Sequence, residues 1–177
     1  MSADSRLVLI EGLPGTGKST TAQFLALHAA RCGHAARWYY EEEADHPVTG
    51  SYHPSAEPLA RWAAFVERAR KADELVVLES AWLQWPLLAL LRHDLATEPI
   101  LSVVGEIATL LAPLDPVLVY LAHPNVEAAV KAIGTRRGAG WQIGHIVRND
   151  GSAFARRRGI SGYDPRPDTS HPLLAVR

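Results

Sequence analysis

Cysteine is almost missing from this chain: of 177 residues only Cys32 carries a thiol. An internal disulfide is therefore excluded, and the composition fits a reducing compartment. No charged-then-apolar leader precedes Arg6, and no apolar stretch reads as approaching membrane-spanning length. The expectation is a cytoplasmic protein with no membrane partner. Internal repeats, low-complexity tracts and domain linkers are lacking as well, so residues 1–177 read as a single domain. None of the eight histidines has zinc-site spacing, so each reads as a surface or core residue. Net charge is nearly absent at −1, but it is unevenly distributed. Residues 1–130 hold nine Lys/Arg against sixteen Asp/Glu, whereas residues 131–177 hold nine against three. A basic tail of that kind serves either nucleic acid or a smaller phosphate ligand.

What is present is concentrated near the start. Gly12-Leu-Pro14-Gly15-Thr16-Gly17-Lys18-Ser19-Thr20 fits the phosphate-loop pattern of Gly, four residues, Gly-Lys-Ser/Thr. The preceding run over 7–10 is apolar and rich in branched residues, long enough for a buried strand and too short for a helix. After Ser19, apolar residues recur at Ala22, Leu25, Ala26 and Ala29, one face of a helix. The pattern thus lies between a strand and a helix, where its chemistry needs it. Glycines let successive amide N–H groups point inward at phosphate oxygens, and the helix start adds its unpaired N–H groups and dipole. Lys18 is expected to reach the terminal phosphates as an exposed cation, and the Ser19 hydroxyl to hold Mg²⁺. The plainer alternative is a glycine-rich turn that only caps a helix. Agreement of glycines, Lys18, Ser19 and both flanking elements favours a nucleoside triphosphate site.

Downstream, the pattern alternates. The first helix should end near Cys32-Gly33 with Gly33 as a left-handed cap, followed by a strand over 35–40 that closes on Glu41-Glu42-Glu43. Residues 45–54 read as loop, 56–71 as an amphipathic helix, and 75–78 as a buried strand ending at Glu79-Ser80. A helical stretch over 81–95, with Pro86 starting or kinking it, leads to a helix capped by Thr97 and ending before Pro113. A fourth strand covers 116–121, and Asn125 caps a helix through Ile133. From Gly134 to Gly144 the composition indicates a glycine- and arginine-rich loop, and residues 173–176 offer a short last strand. Nearly continuous apolar strands between helices imply α/β architecture, a parallel sheet of four to five strands covered on both faces. Such sheets bind ligands beyond the carboxyl ends of their strands.

Several charged groups fall at those ends. Glu79 is placed to hold Mg²⁺ or its water with Ser19; otherwise it merely ends a strand. Among Glu41, Glu42 and Glu43, one can take the proton of an attacking hydroxyl, with Glu41 first in line, and a solvated acidic loop is the alternative. Glu11 reads as structural, holding the phosphate loop. Arg136 and Arg137 supply positive charge for a transferring phosphoryl group, inside a basic lid near 134–158 to which Arg148 also belongs. The run Arg156-Arg157-Arg158 reads as a solvated helix face.

Taken with the loop, Ile10-Glu11-Gly12, the acidic end of the second strand and the arginines after Val119-Tyr120-Leu121, the chain resembles phosphate-loop small-molecule kinases of the thymidylate kinase and nucleoside kinase group. Tyr40-Glu41 before His46-Pro47, Glu79-Ser80, Arg137-Gly138 with Trp141, and Gly162-Tyr163-Asp164 are similar to bacterial thymidylate-kinase-like ATP-binding proteins. The resemblance implies a P-loop NTPase fold, ATP and Mg²⁺ as cofactors, and transfer of the γ-phosphate to a nucleoside, a nucleotide or a hydroxylated antibiotic-like molecule. It implies nucleotide binding by Gly12, Pro14, Gly15, Thr16, Gly17, Lys18, Ser19 and Thr20. Where thymidylate kinases carry Asp-Arg after the third strand, this chain has Glu79-Ser80, a departure that leaves the acceptor open. The chain also stops soon after Gly162-Tyr163-Asp164, so base recognition is partial or shared with a second copy in a homodimer. The rival function is a nucleotide-dependent switch or regulatory ATPase. The guanine-reading Asn/Thr-Lys-x-Asp motif of GTPase switches has only Arg70-Lys71-Ala72-Asp73 as its nearest match. Nucleic acid is not an expected partner, because the basic tail lacks aromatic interleaving and any binding module.

Overall fold

A computed structural model describes residues 5–48 and 57–159. Four strands, β1 (Leu7–Gly12), β2 (Ala36–Tyr39), β3 (Leu75–Glu79) and β4 (Val117–Leu121), form one sheet in the order β2-β3-β1-β4. Every pairing is parallel: Ile10 registers with Glu79, Gly12 with Leu121, and Tyr39 with Leu78. Two strands lie to one side of β1 and one to the other, so the strand order reverses beside the carboxyl end of β1. Open α/β sheets bind ligands at such a reversal. The residues expected to form a fifth strand, over 173–176, lie outside the described residues.

Burial on both faces explains the unbroken apolar run in β1. Leu7 and Leu9 point to one side, Val8 and Ile10 to the other, and none is more than 2% exposed. Below one face lies α1 (Lys18–Arg31), which brings Ala22, Leu25 and Ala26 against Val8, Ile10 and Val77. The small side chains of Ala22 and Ala26 let the helix lie close on the sheet. The opposite face is covered by α2 (Glu57–Lys71) and by a later helix, Thr97–Leu111, which supply Trp62, Phe65, Val66, Ile107 and Leu111. Between them in sequence comes α3 (Gln84–Arg92), so Thr97–Leu111 is α4.

Three expectations are corrected here. Thr97 does not cap α4: Ala96 holds the N-cap position without a side-chain bond. The segment Thr97–Leu114 is an 18-residue stretch of mean hydropathy 1.3, long and apolar enough to cross a membrane by length and composition alone. Its apolar residues recur at helical spacing rather than as a solid run, which hides their number in the sequence. Ile100, Ile107 and Leu111 from that stretch are buried against neighbouring elements. The third correction is larger. After Asn125, whose side chain accepts from the Ala128 amide, α5 runs as helix from Val126 to Asp150, with non-helical backbone at Gly138 (φ 81°, ψ 176°). The glycine-rich stretch is therefore two helical arms joined at a kink, not a loop, because only one of its glycines leaves helical geometry.

A short helix α6 (Ala153–Arg157) ends the described part. Arg157 and Arg158 both pair with Asp94, and Arg92 donates to Asn149 at 3.1 Å, fastening α3 to the far arm of α5 and to α6. This basic run is thus anchored to a carboxylate rather than simply solvated.

At the exit from β2, His46 is buried, accepts the Val48 amide at Nδ1 (3.3 Å) and meets the Tyr39 ring edge-on at 5.7 Å. Burial lowers its pKa from 6.5 to about 4. The folded state excludes the charged imidazole, so its contribution to stability is full above pH 6.5 and is lost as pH falls through about 4. Urea midpoints measured from neutral pH down to about pH 4 should fall for the wild type, and His46→Gln should remove a distinct part of that slope. Parallel curves for the two proteins would contradict the assignment.

Candidate functional site

Residues between β1 and α1 form a tight loop with Gly12, Gly15 and Gly17 all at positive φ, the first two also in close contact with neighbouring elements. Gly12 has φ 146°, and a Cβ there would lie 2.6 Å from the Leu121 carbonyl oxygen on β4. Gly15 has φ 86°, and its Cβ would press on Ile133 of α5 at 3.0 Å. The loop is thus wedged between β4 and α5. Inside it, the Leu13 carbonyl accepts from the Thr16 hydroxyl at 2.8 Å and from Lys18 Nζ at 3.0 Å. Gly17 caps α1 from the left-handed region, with no side-chain cap bond and no acidic residue in the first turn. The first amides of α1 are therefore left to a ligand or to water, with the positive end of the helix dipole behind them.

Glu79 lies at the same end of the neighbouring strand. Its carboxylate is 1% exposed, and Oε1 accepts from the Ser19 hydroxyl at 3.1 Å and from the Glu41 amide at 3.4 Å. Oε2 is buried with no hydrogen-bond partner. Burial pushes the Glu79 carboxyl above its usual range, with those two hydrogen bonds pulling it back. Lys18 is only 7% exposed, contrary to the expectation of a solvent-facing cation. Its pKa is lowered by burial, against the attraction of Glu41, Glu79 and Glu11. An ammonium held in this way, among carboxylates and away from water, retains strong electrostatic reach.

The acidic triplet after β2 separates by role. Glu43 turns back, accepting the Tyr40 amide at 3.1 Å and pairing with Arg37. Glu41 and Glu42 line the cleft above the phosphate loop, and Glu41 Oε2 accepts from Gln84 Nε2 at 3.3 Å. This cleft has a volume of about 260 Å³. Pro14, Gly15, Gly17, Lys18, Ser19 and Thr20 form its floor, and Arg136 and Arg137 from α5 face the same space. The Arg137 guanidinium lies 5.7 Å from the centre of the Trp141 ring, which also lines the cleft. A smaller cavity of about 160 Å³ shares Pro14, Gly15 and Arg136 and is bounded by Thr16, His123 and Ile133. Gly12 lies beneath the loop rather than in the cleft. The side chain of Arg148 and the Gly162-Tyr163-Asp164 stretch lie outside the described residues.

Sequence reading missed the wall opposite the loop, formed by Gln84, Trp85, Leu88 and Arg92 of α3. Polar Gln84 at the head of an apolar helix was the available signal. It also misplaced Glu11. The Glu11 carboxylate is fully buried and accepts the amides of Trp82 (2.8 Å), Leu83 (3.1 Å) and Gln84 (3.1 Å), so it holds the start of α3 rather than the phosphate loop.

Among the described residues, no group of three or more His, Cys, Asp or Glu side chains is arranged to hold a metal ion. Ser19 with Glu79 nevertheless suits Mg²⁺, which is commonly held by one or two protein oxygens together with phosphate oxygens and water. The buried Oε2 of Glu79 is the lone pair such a shell would use.

Strain and contact separate the glycines. Gly12→Ala should destabilise the fold by at least about 1–3 kcal/mol from backbone strain, with a further cost from contact with Leu121. Gly17→Ala carries strain alone, since nothing lies within 4 Å of the position its Cβ would take. Thermal unfolding should rank Gly12→Ala clearly below Gly17→Ala, and the reverse order would refute the wedge. The chain matches no known family model, no curated protein and no solved structure.

Proposed function

We propose that this chain is an ATP- and Mg²⁺-dependent phosphotransferase that moves the γ-phosphate to a small hydroxyl or phosphate acceptor, on a fold of the P-loop NTPase type. The observation that carries the reading is convergence. One cleft joins the glycine loop, Lys18 and the Ser19–Glu79 pair on its floor to Glu41 and Gln84 opposite and to Arg136 and Arg137 at its side. The kinship proposed is with the thymidylate kinase and nucleoside kinase group, on the motifs already given.

Each group has a definite task in such a reaction. The loop amides and Lys18 bind the phosphates, and Lys18, Arg136 and Arg137 offset charge on the transferring phosphoryl oxygens. Ser19 and Glu79 would hold Mg²⁺, which supplies charge neutralisation across the phosphates. Glu41 accepts the proton of an acceptor hydroxyl, and its bond from Gln84 fixes the carboxylate. A phosphate acceptor would need no such base. Trp85, Leu88 and Trp141 add apolar surface to the lining of the cleft, and this favours a bound small molecule over a switch that has no acceptor.

Transfer from γ-labelled ATP to a panel of nucleosides, nucleotides and hydroxylated antibiotics tests the reading directly. Lys18→Ala should reduce turnover by roughly 10²–10³-fold, because it removes the buried ammonium that faces the phosphates. Glu79→Gln should raise the Mg²⁺ midpoint of activity at saturating ATP. The Arg136→Ala/Arg137→Ala pair should lower kcat far more than ATP affinity. Should that pair instead leave turnover intact and abolish salt-sensitive DNA or RNA binding, the basic segment would belong to nucleic acid.

A further inference from the structure

Among the described residues, Glu11 is the deeply buried ionisable group near the cleft that the proposed chemistry leaves without a task. It ends the apolar part of β1, immediately before Gly12, and its two oxygens take three successive amides across the sheet, those of Trp82, Leu83 and Gln84. The first turn of α3 needs that help. Leu83 stands at the N-cap with no side-chain cap bond, and no acidic residue lies in the first turn. The turn leading into the helix is also strained: Ser80 is a non-glycine residue at φ 59°, wholly buried, with its hydroxyl unpartnered. Strained backbone persists where its surroundings over-determine it. Here the Ser80 amide donates to the Ile10 carbonyl at 2.9 Å, the Trp85 amide donates to the Ser80 carbonyl at 3.1 Å, and Glu11 fixes three of the four residues between them.

A local cap has little to bind here: a side chain at position 83 would reach the Trp85 amide, already given to the Ser80 carbonyl, and residue 86, a proline with no N–H. Supplying it from β1 does something a local cap does not: it ties α3 to the strand that carries the phosphate loop. The side chain at the tied end is Gln84, whose amide nitrogen donates to Glu41. The opposite amide orientation would set an oxygen against the carboxylate, so this bond also decides which end of Gln84 faces Glu41.

We infer that Glu11 is a positioning residue: its carboxylate holds the head of α3 in register with the phosphate loop, and through Gln84 it places the Glu41 carboxylate for proton transfer. The inference rests on the phosphotransferase reading, in which Glu41 is the base. Glu11 itself touches no reactant. Burial raises its carboxyl above the usual range, against the pull of the three amides and of Lys18.

The experiment compares wild type, Glu11→Gln and Gln84→Ala with MgATP alone, water serving as the acceptor. Basal ATP hydrolysis gives kcat and KM, and amide hydrogen exchange followed residue by residue reports local opening. In Glu11→Gln, exchange at Trp82, Leu83 and Gln84 should quicken by roughly tenfold or more, while the strand amides of Leu9 and Val77 keep wild-type rates. Hydrolytic kcat should fall by roughly 10²-fold, with KM for MgATP held within about twofold, because misplacing the base leaves the nucleotide contacts alone. Gln84→Ala should reproduce the fall in kcat without the change in exchange at Trp82 and Leu83, and it stands in if Glu11→Gln does not fold. Unchanged exchange at the three amides, an equal loss in kcat and in ATP binding, or a Gln84→Ala enzyme with wild-type kcat would each overturn the inference. A wild type that neither binds nor hydrolyses MgATP would instead sink the phosphotransferase reading, a result separable from exchange at the cap.

Discussion

The close approach of Gly12 to the Leu121 carbonyl is the constraint on which the site depends. Parallel pairing with β4 brings the two backbones together just where β1 ends, and with no Cβ available the chain can only turn away into the glycine loop. That turn delivers Lys18 and Ser19 to the carboxyl edge of the sheet, where β3 independently delivers Glu79. Had β1 stopped one residue earlier, its period of two would have sent the wrong side chains to the edge. Central placement between β3 and β4 removes that freedom. The register of β1 with β3 and β4 therefore fixes the relative positions of hydroxyl, ammonium and carboxylate before any ligand contributes.

Charge is handled by the same economy of space. Glu11, Lys18 and Glu79 are all largely out of water within one small region, and each is pushed toward its neutral form by burial. They remain compatible because each is answered by different partners. Glu11 has three backbone amides, Glu79 has a hydroxyl and an amide, and Lys18 has a carbonyl together with the field of the carboxylates. Groups arranged so have little capacity to reorganise, and a fixed electrostatic environment is what phosphoryl transfer rewards.

Much of this was legible in the residues, and the reasons are specific. The central strands β1 and β3 were visible because burial on both faces leaves an apolar run with no alternation, as in the stretch Leu7 to Ile10. The loop was visible because its glycines and its Lys-Ser pair are demanded by local geometry. The clamp by Glu11 was not, since it depends on contacts between residues more than seventy positions apart that leave no mark on local pattern. The helical arms of α5 were missed for the opposite reason. Its glycines argue locally for a loop, yet all but Gly138 keep helical geometry, and the two arms pack on each other where the Gln142 side chain lies 2.9 Å from where a Cβ of Gly134 would stand.

The kink in α5 divides that helix into parts with different mechanical attachments. Ile133 presses on Gly15, and Arg136 and Arg137 follow within about one turn, on the near side of Gly138. Trp141 and Asn149 lie beyond it, and Asn149 is fastened to Arg92 of α3. The cleft therefore draws its cations from the arm that rests against the phosphate loop and its indole from the arm fastened to α3, and the Arg137–Trp141 contact bridges the two across the kink.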